Sequence, residues 1–247
     1  MPVLNRLQVS ARHVGIIFRK EIGVYFNSPV AYITLVVFLL ISGWFFSSTF
    51  FLENESDLRG LFNIIPTIYL FFIPAVTMGL IAREKSSGTM ELLVTLPLED
   101  WEVVVGKYLA AVALIAVGLL YTLFHFITLT FVGTNIDLGA IFTGYLGLLL
   151  VAGVYTAAGI FCSAVTGNQI TAFILGFLIV FVFFMMDKVL FFVPGFLAGT
   201  VQYISVGYHL SNISRGVIDS RNLVYFITVI AVFLILAVRV LEIRKWR

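Results

Sequence analysis

The chain has 247 residues, of which 61% are hydrophobic and only 11% charged, and its mean hydropathy is +1.08. Soluble domains carry about 25% charged residues, so this composition excludes a water-facing globule and points to an integral membrane protein. A formal charge of +2 leaves no electrostatic footprint for nucleic acid, and the single cysteine, Cys162, excludes an intrachain disulfide.

Residues 1–28 do not read as a span. Leu7, Ala11, Val14, Phe18, Ile22 and Tyr25 recur at steps of three or four and share one helical face, with Arg12, Arg19 and Lys20 away from it. This predicts an amphipathic helix lying in the headgroup layer, apolar face down, or packed on its own bundle. No removable leader is expected, because the first long apolar run starts near Val30, after a helix that already carries four basic residues. Ser28-Pro29 then turns the chain into the membrane. Residues 29–247 form a six-span unit, with crossings expected near Val30–Leu52, Leu61–Ala82, Tyr108–Val132, Ala140–Val165, Ile170–Met186 and Leu223–Val238. Each approaches the roughly 20 helical residues that a bilayer core of about 30 Å requires.

Pro66 and Pro74 predict a bend in the second span. The longest polar interruption, residues 83–107, follows it and holds eight charged residues: Arg83, Glu84, Lys85, Glu91, Glu99, Asp100, Glu102 and Lys107. Within it, Thr89 to Leu96 reads as a short amphipathic helix, with Ser86, Ser87 or Gly88 to cap it, Glu91 in its first turn and Pro97 to stop it. A second helix start follows at Glu99 and Asp100. Such a segment between two spans suits either docking of another protein or a fold against its own bundle. In the fourth span Ala140, Gly144, Gly147, Gly153 and Ala157 mark close helix contacts, within one subunit or across a dimer.

Residues 187–222 are too apolar for an aqueous loop and too broken for a seventh span. The Asp187-Lys188 pair opens them, Pro194-Gly195 interrupts them, and two short re-entrant or interfacial helices are expected. Orientation follows from Lys and Arg. With both termini inside, Arg6, Arg12, Arg19, Lys20, Arg83, Lys85, Lys107, Arg239, Arg244, Lys245 and Arg247 are cytoplasmic, against Arg59, Lys188, Arg215 and Arg221 outside.

The spans hold almost no ionisable groups. His125 stands alone in the third and reads as hydrogen-bonded structure, not a relay. Ion-coupled carriers need buried charges in the pathway. The chain has no Gly-x-x-x-x-Gly-Lys-Ser/Thr phosphate loop, no metal-ligand cluster and no nucleophile–histidine spacing beyond the weak one of His209 beside Ser211, so no catalytic residue is expected. A bundle without its own energy source, carrying one inner docking helix, suggests energy supplied by a partner ATPase.

Glu84-Lys85, Gly88-Thr89, Glu91-Leu92-Leu93, Thr95, Pro97 and Gly106-Lys107 resemble the E-K-x-x-G-T-x-E-L-L-x-T-x-P…G-K pattern of ABC-2-type ABC transporter permeases. Ser28-Pro29, Asn168-Gln169-Ile170 and Ser214-Arg215-Gly216-Val217-Ile218-Asp219 are similar to the GldF-like branch, named for bacterial gliding motility. The resemblance runs from about residue 16 to the C-terminus. It implies an all-α exporter fold: six transmembrane helices, an N-terminal interfacial helix, a cytoplasmic coupling helix and short outer re-entrant helices. It also implies a dimeric membrane part, formed with a second permease copy or homologue, in a bacterial inner membrane. The partners it implies are an ABC ATP-binding subunit carrying the ATP and Mg, and a GldG-like auxiliary membrane protein. By position, Glu84, Lys85, Gly88, Thr89, Glu91, Leu92, Leu93, Thr95 and Pro97 belong to ATPase coupling, and Pro194, Gly195, Arg215, Gly216 and Asp219 to the outer re-entrant segment. The expected function is the permease subunit of an ATP-driven exporter of a lipid, glycan, peptide or drug. The alternative is a membrane scaffold that anchors a motility or envelope machine and binds an ABC ATPase without moving cargo.

Overall fold

The computed structural model describes residues 2–52, 57–90, 97–132, 137–192, 194–217 and 219–244. Among these residues every regular element is helical: α1 (Pro2–Phe26), α2 (Pro29–Leu52), α3 (Arg59–Thr77), α4 (Ala82–Ser86), α5 (Asp100–Val132), α6 (Leu138–Val165), α7 (Gln169–Val189), α8 (Gly195–Ile204), α9 (Val206–Ile213) and α10 (Ser220–Arg244), with one 3-10 turn at Leu190–Phe192. Six stretches are long and apolar enough to cross a membrane, one for each expected crossing: Pro29–Phe50, Arg59–Ser86, Asp100–Phe131, Leu138–Val165, Gln169–Val189 and Ser220–Ile243.

The helix starts follow from local chemistry. Pro29 occupies the first position of α2, where its missing N–H costs nothing, and Ser28 Oγ accepts from the Val30 N–H at 3.3 Å. Asp137 Oδ1 caps α6 through the Ala140 N–H at 3.1 Å, and Asn168 Oδ1 caps α7 through Ile170 and Thr171 at 2.8 and 3.3 Å. Ser205 Oγ does the same for α9 through Tyr208 at 3.3 Å. Each cap satisfies one or two of the four amides that a helix start leaves unpaired.

The helix start expected at Glu99 and Asp100 runs without a break into the third crossing, so α5 has 33 residues, about 50 Å at 1.5 Å per residue. That exceeds the roughly 30 Å of a bilayer core, and α1 packs along α5. The second crossing is broken, not merely bent, since Met78–Ile81 form turns between α3 and α4. Asp187 and Lys188, finally, end α7 as helical residues. His125 also departs from expectation: its Nε2 is buried without a hydrogen-bond partner. The ring stacks on Phe46 of α2, centroids 4.6 Å apart, because the α2 face opposite offers Gly43 and a phenyl ring instead of an acceptor.

α6 is the centre of the bundle and packs against α3, α5, α7, α9 and α10. Its glycines make this possible. A Cβ at Gly144 would overlap the Phe62 ring of α3, and one at Gly159 would overlap the Thr77 hydroxyl. At Gly147 it would lie 2.8 Å from Leu210 of α9, and at Gly153 2.9 Å from the Tyr108 hydroxyl of α5. The small residues of this span therefore serve contacts within one subunit. In lipid, where apolar tails give helices no hydrophobic reason to associate, such close backbone approach supplies dispersion instead.

Overpacking a full contact costs about 1–3 kcal/mol, occasionally more. Gly144→Leu is therefore expected to lower the thermal midpoint of the purified chain in detergent by several degrees, with loss of a monodisperse elution peak. Gly195→Ala, where an added Cβ meets nothing within 4 Å, is expected to leave both unchanged.

Candidate functional site

The charges scattered through residues 19–107 converge at one end of the bundle. Lys107, on the first turns of α5, is 1% exposed. Its ammonium donates to Glu21 Oε1 of α1 at 2.9 Å and to Glu84 Oε1 of α4 at 2.8 Å. Lys20 closes the ring from outside at 3.3 Å to each carboxylate. Burial works against the Lys20 charge, but the Glu21 and Glu84 carboxylates outweigh it and raise its pKa above the ordinary 10.5. Two lysines and two glutamates from α1, α4 and α5 thus form a neutral network. The Glu84-Lys85 and Gly106-Lys107 ends of the sequence pattern are bonded to each other through it.

Gly106 explains why the neighbouring glycine belongs to the same pattern. A Cβ there would lie 2.7 Å from Ile17 Cγ2 and 3.2 Å from the Val14 carbonyl, so only glycine lets α5 press this closely on α1. One turn earlier, Glu102 accepts from the His13 imidazole at 2.9 Å and from the Glu99 backbone N–H at 3.1 Å. The second bond is half of a capping box, fixing the start of α5 while tying it to α1.

α4 is pinned to α6 as firmly as to α1 and α5. Ser163 Oγ accepts from the Ile81 and Ala82 N–H groups, both at 3.0 Å, and donates to the Met78 carbonyl at 2.9 Å. One hydroxyl thereby satisfies three backbone groups that the break in the second crossing exposes. Lys85 donates to the Ala164 carbonyl, one of the orphan acceptors in the last turn of α6, where a cation also opposes the helix dipole. Gly88 ends α4 in the left-handed region, φ +71°, as a glycine after a helix C-cap does. Thr89 Oγ1 then meets Ser87 Oγ at 2.9 Å.

Of the residues assigned to coupling, Glu84, Lys85, Gly88 and Thr89 are thus brought together on and just after α4, and Pro97 is exposed before α5. Glu91, Leu92, Leu93 and Thr95, with most of the expected Thr89–Leu96 helix, lie outside the described residues. Pro194, Gly195, Arg215, Gly216 and Asp219 sit at the opposite end. Pro194 and Gly195 open α8, and Arg215 is exposed in the turn after α9. Gly216 makes the turn toward α10 with φ +92° against Ala140, and Asp219 Oδ1 caps α10 through the Arg221 N–H at 2.9 Å. Ala140 and Ala164 are separated by about 36 Å of helix at 1.5 Å per residue, so the two groups form separate sites.

Sequence reasoning missed Glu21, Ser163 and the His13–Glu102 contact. Glu21 carried a usable signal, as the only acid among residues 1–28. Ser163 carried none, since an isolated serine in an apolar run declares no partner.

Removing one member of a buried ion cluster leaves an uncompensated charge, at a cost of about 3 kcal/mol or more. Lys107→Met is expected to destabilise the chain by that order, read by denaturant titration of helical circular dichroism in detergent. Adding Glu84→Gln restores neutrality and is expected to recover more than half of the loss.

A family model described as ABC-2 family transporter protein matches residues 16–246. None of the curated proteins compared matches the chain. The match takes in all six candidate spans, the ion network and both ends of the bundle. Members of this family are the membrane-spanning permease subunits of ABC transporters, and this chain, matched over nearly its whole length, belongs to the ABC-2 family of transporter proteins.

Proposed function

We propose that the chain is the permease subunit of an ATP-driven exporter, with no catalytic residue of its own, and that force enters through residues 83–107. ATP and Mg belong to a separate ABC ATPase, which docks on Gly88 to Pro97, with Glu91, Leu92, Leu93 and Thr95 as its contacts. The observation that carries this reading is the anchoring of α4. Glu84 bonds it to α1 and α5 through Lys107, and Ser163 and Lys85 bond it to α6. A displacement applied next to α4 is therefore delivered to three helices at once.

On this reading the α1 end of the bundle and both termini are cytoplasmic, α1 (within residues 1–28) lies at the interface, and the membrane is a bacterial inner membrane. The stretch between α7 and α10, residues 190–219, forms the outer re-entrant segment. A second permease copy completes the pathway. α2, α7 and α10 are the least buried crossings and have apolar faces to offer it, and Ile170, Ile174, Leu178 and Val182 form an exposed stripe at steps of four along α7. The Ser214–Asp219 string supports the GldF-like branch and with it a GldG-like auxiliary membrane protein.

The test is a co-purified complex with its ATPase, reconstituted and assayed for both ATP turnover and cargo flux. Glu91→Lys, or Leu92→Asp with Leu93→Asp, is expected to release the ATPase or abolish stimulated hydrolysis while the spans still insert. Survival of both complex formation and stimulation in these variants would overturn the docking assignment. Stimulated turnover with no cargo movement in the parent complex would replace export by a scaffold role.

A further inference from the structure

A groove of about 490 Å³ opens beside the ion network, between α1, α2, α3 and α5. Its inner wall is apolar, built from Val24, Ala31, Ala75, Val76 and Leu114. Two of the polar groups on that wall are spent locally. Tyr25 donates to the Val76 carbonyl at 3.0 Å, and Thr34 donates to the Val30 carbonyl at 2.8 Å. The slot therefore offers an incoming molecule contact surface and few hydrogen bonds.

Its mouth is the opposite. Lys20, with a side chain 55% exposed, and exposed Arg83 both line it. The Arg83 guanidinium has no hydrogen bond or ion pair with any described residue. Glu84 uses Oε1 for both lysines, while its Oε2 is buried and has no donor among the described residues. A buried carboxylate oxygen without a donor is costly, because it has given up water and gained nothing in return. Among the described residues that line the groove, Lys20, Arg83 and Lys107 stand against Glu21 and Glu84, one positive charge in excess.

The complement of these features is a single molecule with an apolar tail, one negative charge and an adjacent hydroxyl. We infer that the groove holds an anionic phospholipid of the phosphatidylglycerol type. Its phosphodiester pairs with Arg83 and Lys20, a headgroup hydroxyl donates to Glu84 Oε2, and an acyl chain lies along Ala31 and Val76. The phosphate cancels the excess charge, and the hydroxyl supplies the missing donor without adding a further cation beside two ammonium groups. A choline headgroup has no donor to give, and an ethanolamine headgroup brings a third ammonium to the same carboxylate. Basic pockets between membrane helices favour anionic lipid on the same physical grounds. The inference concerns a bound lipid and stands apart from the exporter reading.

The full chain in neutral detergent would be titrated with phosphatidylglycerol, phosphatidylethanolamine and phosphatidylcholine of equal acyl length, with adducts read by native mass spectrometry. Phosphatidylglycerol is expected to bind at about tenfold lower concentration than phosphatidylcholine, a difference of about 1.4 kcal/mol. Arg83→Ala, which removes an exposed side chain that pairs with no described residue, is expected to erase that preference, leave phosphatidylcholine binding unchanged and keep the thermal midpoint. Ala31→Trp, which fills the slot, is expected to remove the adduct, with its thermal midpoint measured alongside. Equal binding of the three lipids, a preference for ethanolamine, or an unchanged preference in Arg83→Ala would each overturn the inference. Displacement of phosphatidylglycerol by free glycerol phosphate at equal concentration would make the ligand a soluble phosphate and overturn it as well.

Discussion

The ammonium of Lys107 is the constraint on which this end of the molecule depends. A lysine 1% exposed is tolerable in an apolar bundle only if anions meet it, and Glu21 and Glu84 do so from two different helices. The requirement therefore fixes the position of three elements at once: α1 must lie along α5, and α4 must turn back toward both. Desolvation makes such clusters poor sources of net stability, but breaking one is expensive. The network is better understood as a latch that admits one arrangement than as a glue.

Apolar contact alone would not choose among arrangements here. Lipid tails are as good a neighbour for leucine as another leucine is. Selection comes from shape and from polar fit: glycines on α6 that accept only a particular ring or side chain, and hydroxyls that accept only particular amides. Gly144 receives Phe62, Gly147 receives Leu210, and Ser163 receives the broken turn at Met78–Ile81. The burial pattern follows. α6 and α3 are the best-buried crossings, while α7 and α10 present most of their surface outward.

The number of crossings and their order could be read from the residues because hydropathy is local: each span announces itself within about twenty positions. Capping is equally local, since Ser28, Asn168 and Asp219 act on amides two or three residues away, although of these only the chain break at Ser28-Pro29 was read from the residues. The site was legible only in half. The pattern placed Glu84 and Lys107 in one segment, but the bond between them depends on how α4 folds back. Glu21 enters from 86 positions away, a distance at which no periodicity speaks. Pro66 and Pro74 predicted a bend, yet the interruption falls after both, where Gly79 and a partner serine on another helix make unpaired backbone groups tolerable. His125 was misjudged because an imidazole can be held by stacking alone.

The seam in the second crossing has a mechanical corollary. Met78, Ile81 and Ala82 hold to Ser163, and Lys85 holds to the next carbonyl along α6. Backbone groups on both sides of the seam are anchored to a neighbouring rod, so flexing there need not stretch the ladder of either half. Its stiffness is lent by α6, and α4 cannot tilt without carrying the last turn of that rod. A load arriving near residues 82–90 is divided at the outset between two crossings. Gly216 lies against the far tip of α6 at Ala140, so one rod joins the seam to the turn at its opposite end.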